Sequence, residues 1–433
     1  MKTQTVNIIG GGLAGCEATY QLAKRGIKVK LFEQKPLVFS PAHTSKNLAE
    51  IVCSNSLKST DLSSASGMLK AELELLDCKL LQIAKECSVP AGSALAVDRE
   101  LFSQKVTNFI KSLFGVEIIN QEVTKIDTSL PTIIATGPLT SGKLFEEIGE
   151  LLGDERLYFY DASAPIVDGD TINMEKTFSA GRYNKGDSDY INCPMNKEEY
   201  YNFVHELVAA KRVELHEFEN VQVFEGCMPI EIMASRGEDT LRFGPLKPVG
   251  LVDENGKRPF AVVQLRRENT EGKTYNLVGF QTNLVYGEQK RVFSLIPALK
   301  DAEFIKYGVM HRNSYICAPA HLTQNFYLKK HPNIYFAGQI SGVEGYVESI
   351  TSGLVAAISM FNMLSEKPQI DWPQESMIGS LSKYLVTADE KNFQPMNANF
   401  GILPPLETQI RDKKERKLAY SKRGIESIKQ ILN

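Results

Sequence analysis

The run Gly10-Gly11-Gly12-Leu13-Ala14-Gly15 is the part of this sequence best suited to holding a phosphate. It follows a short apolar strand, Val6-Asn7-Ile8-Ile9. It opens a segment in which Leu13, Ala14, Ala18, Leu22 and Ala23 give an apolar helical face. In that order Gly10 permits a tight turn, Gly12 lets the backbone approach a pyrophosphate, and Gly15 lets the helix pack closely on the strand. The anion then meets the free N–H groups at the helix start. Glu33 ends the next strand, Lys28-Val29-Lys30-Leu31-Phe32, where a carboxylate accepts hydrogen bonds from ribose hydroxyls. Two cysteines stand in unusual surroundings. Cys53 lies in Glu50 to Lys58 and Cys227 in Phe224 to Glu231, both among small and turn-forming residues and off any apolar helical stripe. A thiol so placed is either an inert buried group or a nucleophile, and the local sequence leaves both open.

The elements that must position these groups read as βαβ at the start of the chain. A further buried strand, Thr132-Ile133-Ile134-Ala135, ends in Thr136-Gly137-Pro138. A late strand, Asn333 to Ala337, meets Gly338-Gln339, and a helix from about Gly345 to Met360 follows. That second glycine-rich strand-to-helix turn offers another helix N-terminus, suited to the far end of a long cofactor, and it points to FAD rather than NAD. Gln339 stands where many such flavoproteins carry Asp. No second glycine fingerprint follows a strand, so a nicotinamide donor would have to visit the flavin face and leave. Between these parts, Gly/Pro turns, short β-like runs (Ala261 to Leu265, Tyr275 to Phe280) and one helix near Lys197 to Lys211 read as an insertion. The expected fold is α/β: a Rossmann-like FAD-binding domain of the two-dinucleotide flavoprotein type, interrupted by an α+β insertion domain. Its parts are residues 1–157, 158–310 and 311–433, the last ending in a basic helix.

The chain has 433 residues and a net charge of −3, so any RNA-binding surface has to be a local patch. One candidate is the C-terminal run Arg411, Lys413, Lys414, Arg416, Lys417, Lys422 and Arg423, set against Asp412 and Glu415. The seven cysteines are scattered and form no CxxC pair, so neither a metal site nor a disulfide framework is expected. No stretch reads as membrane-spanning and no signal peptide is apparent, which points to the cytoplasm.

Taken together, the segments Val6 to Gly15, Ala49 to Lys58, Ser88 to Arg99, Glu225 to Gly250, Tyr275 to Thr282, Gly308 to Asn313, Phe336 to Gly353 and Asn392 to Leu406 resemble the FAD- and folate-dependent tRNA (uracil-5-)-methyltransferases over essentially the whole chain. Small departures are Gly11, where Ala is frequent, and Ile316-Cys317-Ala318. The resemblance implies C5 methylation of a uridine in tRNA, with methylenetetrahydrofolate as one-carbon donor and NAD(P)H as reductant. It implies Cys227 as the thiol that adds to uracil C6 and Cys53 as a second functional thiol near the flavin. It also implies His311 stacking on the pterin with Arg312 close by. Tyr346, in Gly345-Tyr346-Val347-Glu348, falls at the flavin-side helix N-terminus, where it either meets the flavin or packs in the core. The same chemistry on ribosomal RNA, a tRNA wobble-uridine modification flavoprotein, a plain flavin oxidoreductase and a non-catalytic FAD-bound RNA-binding protein are the other readings. The oligomeric state is not legible.

Overall fold

The computed structural model describes residues 5–40, 42–140, 142–153, 157–182, 190–213, 228–253, 256–308 and 310–432, with the backbone alone at 157–162 and 310–312. Cys227 therefore lies outside the described residues.

A five-stranded parallel sheet carries the first core. Its order is Ile334–Phe336, Thr132–Ile134, Thr5–Ile9, Lys28–Glu33, Val116–Asn120. Val6, Ile8, Val29, Leu31, Ile133 and Ile134 are buried in it, and this burial is what the apolar runs encode. The register matters for function. Ile9 sits opposite both Phe32 and Ile134, and Ile134 sits opposite Phe336. The residues that follow, Gly10, Glu33, Ala135 and Ala337, are thereby brought level at one edge of the sheet. The chain order reverses between Thr5–Ile9 and Thr132–Ile134, and ligands bind at such a switch point.

Two helices start from this edge, Leu13–Ala23 and Tyr346–Leu364. They cross in close contact: a Cβ on Gly353 would lie 2.2 Å from the Ala14 carbonyl oxygen. The absence of a membrane-length segment expected from the sequence does not hold for Tyr346–Leu364. It is long and apolar enough to span a bilayer, but 83% of its apolar window is buried inside the protein. Its apolarity is that of a helix packed on all sides.

A second core, running from Ala164 to Phe304, lies against a six-stranded antiparallel sheet. Beyond the expected helix, Lys197–Ala209, this region holds Ile230–Ser235 and Tyr286–Phe293. Both are short, and the second is polar enough (Gly287-Glu288-Gln289-Lys290-Arg291) to leave little apolar periodicity. The ribbon of Leu157–Ala162 paired with Met310–Tyr315 leads in and out.

Side chains also join the two cores. Asp98 caps Arg99–Ser112 through the Leu101 N–H at 3.0 Å and accepts the Thr270 N–H at 3.2 Å. Arg99 pairs with Glu268, both nearly buried. Arg266 donates to the Asn55 Oδ1 at 2.8 Å and to the Ser54 Oγ at 3.0 Å. The segment bearing Cys53 is thus tied directly to the hairpin at 261–277.

Candidate functional site

The level strand ends open onto a cleft of about 250 Å³ lined by Gly10 to Ala14, Glu33, Gly338, Gln339 and Tyr346. The glycines have separate reasons to be there. Gly10 has φ +105°, and a Cβ on it would lie 2.5 Å from the Ala135 carbonyl oxygen. On Gly15 a Cβ would lie 1.9 Å from the Gly10 oxygen, so that position serves helix–strand packing rather than the cavity. On Gly11 it would strike Leu48 Cδ2 at 2.5 Å and Glu33 Oε2 at 2.7 Å. Gly12 differs: nothing lies within 4 Å of its Cβ position, and its φ of −78° suits any residue. Neither the backbone nor the protein's own packing requires glycine there.

Glu33 is 7% exposed. Its Oε2 accepts the Gly11 N–H at 2.9 Å and its Oε1 accepts the Lys35 N–H at 2.9 Å. One carboxylate therefore fixes the glycine turn and keeps lone pairs for a sugar hydroxyl. Neither helix entering the cleft has a side-chain cap: Gly12 and Gly345 occupy the two N-cap positions. Both helix dipoles favour negative charge at these N-termini. Gly338 has φ +79° and donates its N–H to the Ser352 Oγ at 2.7 Å, which locks the late turn onto its helix. Gln339 donates to the Glu344 Oε2 at 2.5 Å, bracing the same turn from its other end.

Two long helix starts without a side-chain cap, a carboxylate at the second strand end and open space beside Gly12 form an arrangement that can take an elongated dinucleotide. The match to known proteins is as specific. The GIDA family, "Glucose inhibited division protein A", matches residues 5–368. The Methylenetetrahydrofolate--tRNA-(uracil-5-)-methyltransferase TrmFO of Acetivibrio thermocellus is 55% identical, over 99% of this chain and 98% of that one. The protein of the same name from Bacillus subtilis strain 168 is 53% identical over 100% of this chain and 99% of its own.

The chain belongs to the TrmFO family.

Among solved structures, Aquifex aeolicus GidA superposes with a TM-score of 0.71 at 16% identity, over 99% of this chain and 74% of that one, which shows a shared fold. In this TrmFO-family chain Cys53 lies just outside the cleft, half-buried, next to the cleft residue Val52. Its backbone is held on both sides. The Cys53 N–H donates to the Tyr346 hydroxyl at 2.9 Å, and its carbonyl accepts from the Arg99 Nη2 at 2.9 Å. A second Arg99 nitrogen, Nη1, reaches the Ile51 carbonyl at 3.3 Å. Tyr346 is thus both a cleft wall and a strut for the thiol segment.

The charges around Cys53 are mixed. Arg99, Arg266 and Lys306 act on it from the positive side, with Glu268 and Glu50 among them. Burial pulls Arg266 and Lys306 below the usual values for their types. Burial pulls Arg99 the same way, but Glu268 and its neighbours outweigh it and raise Arg99.

His311 and Arg312 lie on Met310–Tyr315, opposite Asp161 and Tyr160, and their side chains are not among those described. The same strand passes the cleft: the Ser314 N–H donates to the carbonyl of Pro138, a cleft residue, at 2.6 Å. The segment just after Cys227 is firmly seated. The Ile230 N–H donates to the Gln281 carbonyl at 2.7 Å, and buried Glu231 accepts from the Asn283 N–H at 2.7 Å and from the Thr282 hydroxyl at 2.9 Å. Burial raises the Glu231 carboxyl against those bonds.

Sequence reasoning missed Arg99, Arg266 and Glu268 as parts of this site. Arg99 closes the run Ser88 to Arg99 that carries the family resemblance, so a signal existed for it. Glu268 had none, because its partner is remote in the chain.

Proposed function

We propose that this chain transfers the one-carbon unit of methylenetetrahydrofolate to C5 of a uridine in tRNA, with FAD as cofactor and NAD(P)H as reductant, in the cytoplasm. Full-length identity of 55% to a relative named for this reaction carries the reading. The names of the relatives specify tRNA, and nothing in the cleft favours ribosomal RNA. Open space beside Gly12, the helix starts without side-chain caps and the remaining lone pairs of Glu33 fit the pyrophosphate and ribose of FAD. Gly10, Gly11, Gly12, Leu13, Ala14, Gly15 and Glu33 would hold its adenosine and phosphate half, and Gly338, Gln339 and Tyr346 its flavin half. When bound, FAD supplies the redox step that brings a methylene-level carbon to a methyl group.

The chain's own groups do the rest. Uracil C5 is a poor nucleophile until a thiolate adds at C6. The Cys227 sulfur forms the S–C6 bond, the displaced electron pair makes C5 nucleophilic, and C5 bonds to the donor carbon. Loss of the C5 proton with cleavage of the S–C6 bond restores the thiolate and leaves C5 carrying a methylene still bonded to the donor nitrogen; that C–N bond then breaks with its electron pair going to nitrogen, and a hydride equivalent drawn from NAD(P)H completes the methyl group. Cys53, fixed by Tyr346 and Arg99, is the thiol on the cofactor side. His311 and Arg312, on the strand passing Pro138, take the pterin and its anionic tail. Cys227 belongs to the inserted unit, residues 158–310.

The test supplies unmodified tRNA transcript with methylene-labelled folate and NADPH. Label should appear at C5 of a single uridine. Cys227→Ala should keep FAD and flavin reduction but lose transfer, and it should fail to trap 5-fluorouridine RNA covalently. Absence of label with wild-type protein would overturn the reading. Near-normal transfer by Cys227→Ala would remove Cys227 from it.

A further inference from the structure

A second cavity, about 780 Å³, lies in the region of the second core and shares no lining residue with the cofactor cleft. It opens beside the edge strand Phe178–Ser179 and the first turn of Lys197–Ala209. Lys176, Lys197, Lys247, Lys257 and Arg258 line it, and none of them makes an ion pair among the described residues. All but Lys247 are exposed, and Lys247 is half-buried.

Three carboxylates share the wall, Glu175, Glu199 and Asp253, and two of them also brace the backbone. Glu199 accepts the Asn196 N–H at 2.7 Å in a capping box, and Asp253 accepts the Lys257 N–H at 2.8 Å. Counting Arg242, the wall holds six cations against those three carboxylates, so its balance is positive. A chain of net charge −3 that gathers unpaired cations in one concavity is built to meet an anion there.

The wall is also braced. Arg182 donates to the Lys247 carbonyl at 2.5 Å and to the Val249 carbonyl at 3.0 Å, holding the loop that carries Lys247. Aromatic surface completes the site. Phe243 is 81% exposed at the rim. Phe260 lies under the Arg242 guanidinium at 3.6 Å, and Arg242 is itself paired with Asp239 at 2.9 Å. Unpaired cations that can track phosphates, beside an exposed ring on which a base can stack, suit a polynucleotide better than a small anion.

We propose that this cleft is a docking groove for the RNA substrate, gripping the sugar-phosphate backbone away from the reacting uridine with one base stacked on Phe243. The proposal rests on the tRNA reading above and locates where that RNA is held. It predicts that the groove governs affinity and leaves the chemical step alone.

The experiment compares wild type with the triple variant Lys247→Gln/Lys257→Gln/Arg258→Gln and with Phe243→Ala, each loaded with FAD. Binding of fluorescein-labelled tRNA transcript is read by anisotropy across a salt series. The triple variant should bind roughly tenfold or more weakly at moderate salt, with the slope of log affinity against log salt lower by about 2 to 3. Phe243→Ala should weaken binding without changing that slope. In methyl transfer the KM for tRNA should rise by the same factor while kcat and flavin reduction by NADPH stay near wild type. Unchanged affinity and slope in the triple variant would overturn the proposal. So would a fall in kcat at unchanged affinity. If wild type bound tRNA but transferred no methyl group, the function reading would fail while the anisotropy series still decided this one.

Discussion

The Tyr346 hydroxyl accepts the N–H of Cys53 at 2.9 Å, joining residues 293 positions apart. Tyr346 opens the helix at the late cofactor turn, and Cys53 lies beside the cofactor cleft, so this bond sets the distance between the thiol and whatever the cleft holds. Arg99 completes the clamp from the carbonyl side. Tyr346→Phe should keep the fold, since one hydrogen bond contributes about 1 kcal/mol. It should change the rate and pH profile of Cys53 alkylation and reduce methyl transfer. Arg99→Lys should do the same more strongly, because a lysine cannot serve both carbonyls and Glu268 at once. Alkylation profiles identical to wild type in both variants would show that the clamp does not position the thiol.

Gly12→Val tests the cofactor cradle with little confounding by misfolding. The position has ordinary backbone angles and open space around its Cβ, so the apo fold should tolerate the side chain. The purified variant should be colourless, with a melting temperature close to that of apo wild type. Gly15→Val is the contrast: its Cβ strikes the Gly10 oxygen, and it should fail to fold. A yellow, FAD-replete Gly12→Val protein would refute the assignment of the cleft.

The basic C-terminal helix, Lys413–Leu432, is not a loose end. Gly424 packs on Met68, where a Cβ would come within 2.2 Å of its Cε, and Arg423 donates to the Pro404 carbonyl at 2.6 Å and the Pro405 carbonyl at 2.8 Å. Lys413, Lys414 and Arg416 are exposed at the helix start, Lys417 is half-buried beside them, and the dipole disfavours all four cations there. Replacing the four by Gln should raise the melting temperature slightly. If RNA phosphates meet this turn, the same variant should lower the salt slope of tRNA binding by about 0.7 to 0.9 for every phosphate it no longer neutralises. A higher melting temperature with an unchanged slope would mark the run as structural only.

Glu72 provides a pH test. It is fully buried and accepts the N–H groups of Met377 at 2.8 Å and Ile378 at 3.0 Å. Burial pushes its carboxyl up to about 8, and those two bonds only partly oppose the shift. With the folded value above the unfolded one, the folded state binds more protons between about pH 4.5 and 8. Stability from this group is therefore full below about 4.5 and lost as pH rises through about 8, by an amount on the order of a few kcal/mol. Denaturant midpoints of wild type should fall across that window relative to Glu72→Gln and run parallel above it. Parallel curves throughout would show that Glu72 stays ionised, held by its two backbone donors.

Some of this protein was written in short stretches of sequence. The glycine turn, the helix after it and the strand ending at Glu33 are local events, set by backbone sterics and apolar periodicity within about thirty residues. The late turn at Gly338 and the need for a long anionic cofactor followed from the same signals. Three other features were decided only by the tertiary structure. The Tyr346–Cys53 bond, the Arg99–Glu268 pair and the gathering of Lys176, Lys197, Lys247, Lys257 and Arg258 into one cavity each join residues far apart in the chain. Hydrogen bonds and charge clusters of that kind leave no period in the sequence. They exist only once sheet register and helix crossing, as at Gly353 on Ala14, have brought distant backbones to fixed separations.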